Sequence, residues 1–420
     1  MTPSINPAPP ARRGIALLIT LVIIALLAVY MTEFSFDTHL ETRGIRNFQA
    51  SFRARNAAKS LFKAALVGLQ GGHNGEVREK DFFDQISPPL LRTASLLNPT
   101  KPEKIEGIQL LLPGLAESFP NVTFYTPYIR PIDHLFNLNR IDSKIAPGKA
   151  KDLALLNEFS NILRDFNKLQ SNDTNQSQTS LNLGEESIRT FYASIYDWSD
   201  KNRDIDYLES NIESHIQMDD TEWEVKNTQF DKLSEIMLLQ NKLFEEGYLE
   251  FQIPLESSSP DTNSWNADFT VYPVGEKEGQ IFGDPRININ LASGDDIQKF
   301  LARFSNPGVN ASDKEQQYLG RAKDIASVLK PDFADDGPPF KTMDDIKARL
   351  RSDPSTGDLN DYHTRYFILF SNWYDIHLVT EIENVRAEVR AVVEVDRDEN
   401  GKVKKENGEY AITIHDFQLH

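Results

Sequence analysis

Cysteine is absent from all 420 residues. That removes disulfides, cysteine-ligated zinc, iron–sulfur clusters and thiol catalysis from consideration. A cysteine-free chain suits an oxidising compartment without demanding one. Positive charge is also scarce: 45 Lys and Arg against 63 Asp and Glu leave a net charge of −18. A nucleic-acid binder needs a basic face to neutralise phosphates, so no nucleic-acid partner is expected. The eight histidines stand singly, with no H-E-x-x-H pair among them, and histidine-ligated zinc is not expected either. G-x-S-x-G, G-x-x-x-x-G-K and G-x-G-x-x-G do not occur. A catalytic triad would have to meet in space with no local signature, and no enzyme activity is expected.

Length and composition describe a globular chain too long for one typical domain, 40% hydrophobic and 26% charged. Its amino terminus is unlike the rest. Ile15 to Thr32 is an uncharged run of 18 residues, which as a helix rises about 27 Å, close to the hydrocarbon thickness of a bilayer. Only a helix satisfies its own backbone in lipid. The polar leader before it ends Arg12-Arg13-Gly14, and two arginines on the short flank favour a cytoplasmic amino terminus. A cleaved signal peptide would have a shorter apolar core and a small-x-small site, which Ala-Leu-Leu-Ala at 25–28 does not supply. A spanning helix over 15–36 is therefore expected, continued over 37–70 by an amphipathic half. There Ile45, Phe48, Phe52, Leu61, Ala65 and Leu69 are expected to form one apolar stripe between basic residues, with Gly71-Gly72 as the stop.

Arg-Arg-Gly14 followed directly by Ile15-Ala-Leu-Leu resembles the leader junction of prepilins. Phe136-Asn-Leu-Asn-Arg-Ile141, Tyr196-Asp-Trp-Ser-Asp200 and Arg286-Ile-Asn-Ile-Asn-Leu-Ala-Ser293 resemble, in the same order, three elements of the type II secretion protein K family. The resemblance implies cleavage by a prepilin peptidase between Gly14 and Ile15 with the apolar helix retained. Most pilins have a glutamate at mature position five; Ile19 stands there, as in that family. The resemblance further implies a minor pseudopilin in the inner membrane with its bulk in the periplasm. Its partners would be the minor pseudopilins I and J, then H and the major pseudopilin G. A type IV pilus minor pilin and a signal-anchored periplasmic hydrolase are the alternatives.

Beyond the helix, 71–118 reads as irregular, and Asn121 to Arg130 is rich in strand-favouring residues. Helical spacing runs over Asp152–Leu169, Glu185–Trp198, Gln229–Glu246, Gly294–Phe304, Glu315–Leu329 and Met343–Leu350, interrupted by a polar loop at 171–183. Tyr366 to Phe370 is a short apolar strand candidate. Valines and alanines at 385, 387, 389, 391, 393 and 395 alternate with Arg386, Glu388, Arg390 and Glu394, as in a half-buried strand. A turn at Asp398–Gly401 and a partner strand at Tyr410–His415 follow. The periodicities define an α+β chain with a large helical middle. The resemblance makes it pilin-like: a long N-terminal helix and a small antiparallel sheet (71–141 and 361–420), with an all-helical domain inserted at 142–360.

One cluster has metal chemistry. Asp197, Asp200, Asn202, Asp204 and Asp206 could converge on a calcium ion, which takes six to eight hard oxygen ligands. Ten acidic residues and two basic ones lie between Asp197 and Glu224. Ile205 and Asn211 depart from the EF-hand pattern, and a solvated acidic loop has the same composition. The resemblance implies calcium in the helical domain. Asn137, Asn139, Asn288 and Asn290 are expected to bond backbone in tight turns, and Trp198 to sit in a core.

Overall fold

The computed structural model describes residues 11–71, 113–141, 148–171, 184–199, 228–249, 251–255, 264–273, 276–277, 280–281, 284–304, 313–330, 340–356, 362–398, 402–406 and 408–420. Most of the leader, most of the irregular stretch after the long helix, nearly all of the polar loop at 171–183 and the acidic run beyond Ser199 lie outside those residues.

A single helix, Ala11–Gly71, runs without a break through the apolar segment and ends at the first of the two glycines. Its carboxy-terminal half lies on a four-stranded antiparallel sheet ordered Thr123–Pro131, Trp373–Ile382, Val385–Val395, Ile412–Leu419. The valine and alanine alternation does what a period of two requires. Ala387, Val389, Ala391, Val393 and Val395 are buried toward the helix, while Glu388, Arg390 and Glu394 remain half-exposed on the other face. Small residues on the helix let it approach closely: Ala54, Ala57 and Ala58 are fully buried, and the Thr380 hydroxyl donates to the Ala54 carbonyl at 2.8 Å. Arg397 closes the far end, donating to the carbonyls of Ser371 and Leu69, where a cation favours the negative end of the helix.

One turn of the sheet has no counterpart in the expectations from sequence, and one strand differs from its expected limits. The central hairpin turns on Glu383 and Asn384, both left-handed (φ 49° and 68°), a two-residue turn matched to strand twist. The last strand spans Ile412–Leu419. The expected Tyr410 instead pairs with Lys405 in a separate small hairpin.

The middle of the chain holds two cores. The first gathers Phe136, Phe159, Phe191, Tyr192, Trp265 and Phe269 around the helices Ala150–Ser171, Glu185–Ser199 and Glu235–Glu245. The second gathers Ile289, Ile297, Phe300, Tyr318, Ile325 and Tyr366 around Gly294–Ala302, Asp313–Gly320, Ala322–Leu329 and Met343–Ser352. The expected helix over 315–329 is two helices separated at Arg321. The apolar segment Tyr366–Phe370 belongs to the second core, not to the sheet, and Phe136 to Ile141 belongs to the first.

These two cores are built alike. Phe136–Asn137 pairs in parallel with Phe269–Thr270, and Ile287–Asn288 with Phe367–Ile368. Each second strand follows directly on a one-turn helix, Trp265–Asp268 or His363–Tyr366. The four asparagines explain why the segments look alike. Asn137 Oδ1 accepts from the Asn139 amide, as Asn288 Oδ1 does from that of Asn290. The second asparagine of each pair then brackets one distant peptide. Asn139 donates to the Phe230 carbonyl and accepts from its N–H, at 2.9 and 2.8 Å. Asn290 does the same to Phe340 at 3.0 and 2.8 Å. Their role is structural, as the chemistry of asparagine in turns implied.

Among the described residues, the cores and the sheet meet around Asp133 and Trp373. The Asp133 carboxylate accepts from the Asn372 amide, Tyr272 stacks on Trp373 at 4.2 Å, and Arg303 pairs with Asp268 while donating to the His134 carbonyl. Burial, with Arg303 and Arg130 nearby, lowers the pKa of His134 to about 3, so this imidazole is neutral at the junction.

Candidate assembly surface and metal centre

Among the described residues, the amino-terminal half of the long helix packs against no other element. Every described side chain from Leu17 to Gln49 is exposed, and burial against the sheet begins at Ala50. Ile19 is 53% exposed within this bare stretch. The backbone at Gly14 and Ile15 is already helical. The helix is long and apolar enough to cross a membrane, which fits a single-pass anchor with a folded bulk beyond it.

The expected single apolar stripe is corrected to two faces. Leu61, Ala65 and Leu69 are buried on the sheet, whereas Ile45, Phe48 and Phe52 are 58%, 72% and 60% exposed. The reason is angular. Phe52 and Leu61 are nine residues apart, and nine steps of about 100° bring a helix to its opposite side. Spacings that are multiples of three are not by themselves one stripe.

Asp197 is the one predicted metal ligand within the described residues. It is fully buried on the last turn of Glu185–Ser199, between Tyr196 and Trp198, and Trp198 stacks on Phe230 at 5.6 Å. The Ser199 hydroxyl ties this turn to the carbonyl of Ile141. A carboxylate held out of water at the negative end of a helix favours a cation beside it, so Asp197 fits the proposed ion. Asp200, Asn202, Asp204 and Asp206 lie outside the described residues. Among those that are described, no three His, Asp or Glu side chains gather at metal-binding distance.

Buried charge lies elsewhere. Arg140, following the first asparagine pair, meets Glu158 at 2.8 Å and Asp284 at 3.3 Å, with its guanidinium 5.2 Å from the Phe136 ring centre. Burial pushes the Glu158 carboxyl above its ordinary range despite that arginine. The arrangement is a strut between the short 3-10 helix Leu138–Arg140 and the helix Ala150–Ser171. No sequence motif announced it, because an arginine and a glutamate 18 residues apart resemble any surface pair.

No protein-family model matches the sequence, and no curated protein is significantly similar to it. Among solved structures, a chain of the GspK–GspI–GspJ complex of the enterotoxigenic Escherichia coli type 2 secretion system is similar over 90% of this chain and 99% of that one. The identity is 11% and the TM-score 0.47.

Proposed function

We propose that this chain is a non-enzymatic filament subunit, the minor pseudopilin K of a type II secretion machine. The observation that supports it is the long helix: bare and apolar in its first half, seated on a small antiparallel sheet in its second. A helix so divided suits a subunit stored in a membrane and then drawn into a bundle of similar helices. The prepilin-like junction at Gly14 and Ile15 provides the route, with peptidase cleavage releasing Ile15 as the mature first residue. Ile19 then lacks the carboxylate that would neutralise a neighbour's amino terminus, and two helical cores crown the sheet. Both features favour a place at the filament tip, where assembly starts and export through the outer membrane is supported. The partners on this reading are pseudopilins I and J, followed by H and G, with the anchor in the inner membrane and its amino terminus cytoplasmic.

Amino-terminal sequencing of protein recovered from membranes is expected to begin at Ile15, and I and J are expected to co-purify with it. A start before Gly14, or recovery free of pseudopilins, would falsify this reading.

Calcium belongs to the same proposal. Asp197, with Asp200, Asn202, Asp204 and Asp206, would hold the ion, which would neutralise the acidic run and fix the end of the helix Glu185–Ser199. Chelator is expected to lower the melting temperature of the wild-type chain by several degrees, roughly the effect of losing 1–3 kcal/mol of linked binding. Asp197→Asn should melt at the chelated temperature with or without calcium. Equal melting of the wild type in both conditions removes the ion.

A further inference from the structure

The long helix passes through three surroundings, and only two of them hold it in shape. As far as Thr32, the hydrocarbon of a bilayer forces every backbone group to bond within the helix. From Ala50 the sheet takes over, with the Thr380 hydroxyl on the Ala54 carbonyl and Arg397 on that of Leu69. Between the two, every side chain from Glu33 to Gln49 is exposed, and none of the described elements packs against this stretch. Its helix stands on its own local chemistry.

That chemistry is poor in three independent ways. Phe34, Ser35, Phe36, Asp37, Thr38, His39 and Thr42 are weak helix formers, and Gly44 is weaker still, whereas six alanines follow between Ala50 and Ala65 once the sheet is reached. Glu33, Asp37 and Glu41 stand four residues apart, so like charges line one side of the helix. No Lys or Arg lies three or four residues from any of them. Thr32, Thr38 and Thr42 each donate a hydroxyl to the carbonyl four residues back, at 2.7, 2.8 and 2.7 Å. Such a bond shares an acceptor with the backbone ladder, and it weakens and bends a helix.

We infer that Glu33–Gly44 is a built-in joint, a segment whose helix opens and recloses on its own while the stretches on either side stay formed. A stiff rod of 61 residues, about 90 Å long, would make the folded bulk follow every tilt of its anchor. The joint uncouples them. Because the helix is tied to the sheet from Ala50 onward, the bulk can turn against the anchor only in the untied stretch before it, and the weak residues are gathered there. The inference rests on the membrane reading of the apolar segment and on no particular partner.

Hydrogen exchange of the full chain in lipid nanodiscs tests the joint. Amides 37–48, which bond to the carbonyls of 33–44, are expected to exchange about tenfold or more faster than those of 17–31 and 54–69. Combining Asp37→Lys, Thr38→Ala, Thr42→Ala and Gly44→Ala turns the acidic line into two opposite-charge pairs and supplies good helix formers. Exchange over 37–48 should then slow about tenfold, with 54–69 unchanged. The absence of cysteine allows a second measurement, with spin labels on Leu27→Cys and Phe52→Cys, about 38 Å apart on a straight helix. Their distance distribution should be broad in the otherwise native chain and narrow in the fourfold variant. Slow exchange over 37–48, exchange indifferent to the four substitutions, or one narrow distance without them overturns the joint and leaves the anchor standing. Exchange over 17–31 as fast as over 37–48 places the apolar segment outside lipid, and removes the membrane reading together with the joint.

Discussion

Arg140→Ala is expected to lose about 3–5 kcal/mol of stability in the first helical core, measured by urea unfolding of the full chain in detergent. The loss comes less from the missing contact than from what stays behind. Glu158 has only about 5% of its side chain in contact with water, and Arg140 is its close partner at 2.8 Å. With the arginine gone, the carboxylate must be buried uncompensated or take up a proton. This fixes the sign of the pH dependence. Glu158 already sits above its ordinary range in the folded chain, and removing Arg140 moves it higher. A carboxyl raised in the folded state retains its stability at low pH and loses it as pH climbs through the raised value. The deficit of Arg140→Ala should therefore be largest near neutrality and shrink toward pH 5. Adding Glu158→Leu to Arg140→Met should recover most of the loss, since two apolar side chains can fill the space. A deficit that is flat with pH, or a double variant worse than the single, would show that Glu158 is not the group responsible.

The parts of this fold governed by local spacing are legible in the sequence itself. The strand Val385–Val395 has the limits of its alternation, and the helices Ala150–Ser171 and Glu185–Ser199 begin close to where their apolar spacing does, whereas the helix expected from Gln229 begins only at Glu235. What spacing does not supply is anything decided across distance. The hairpin turn at Glu383–Asn384 contains no glycine; asparagine favours the left-handed region, whereas Glu383 is held there by strand pairing rather than by preference. The line through Ile45, Phe48 and Phe52 reads as continuous with Leu61 because both halves are apolar. Only the sheet's position tells which half it covers. The candidate metal site is legible only as composition, and of its five residues Asp197 alone is among those described.

The asparagine pairs are the clearest case of partial legibility, and they carry the second large prediction. Their local half, one asparagine turning back to the amide two residues on, is written in the tetrapeptides themselves. Their distant half is not, because Phe230 lies 91 residues from Asn139 and Phe340 lies 50 residues from Asn290. Truncating either second asparagine leaves a peptide N–H and a carbonyl without their side-chain partner. Asn139→Ala and Asn290→Ala are each expected to cost about 2–4 kcal/mol. Because the two devices serve separate cores, the damage should be local. Hydrogen exchange is expected to quicken in Asn139→Ala over 228–249 and 264–273, with 340–352 and 362–370 protected, and in Asn290→Ala the reverse. Asn139→Asp should do no better than alanine. It keeps the acceptor for the Phe230 N–H but turns a charged oxygen toward the carbonyls of Phe230 and Tyr272, where the amide donated. If both alanine variants loosened the same segments, the two cores would be one cooperative unit and their shared construction would have no independent folding behind it.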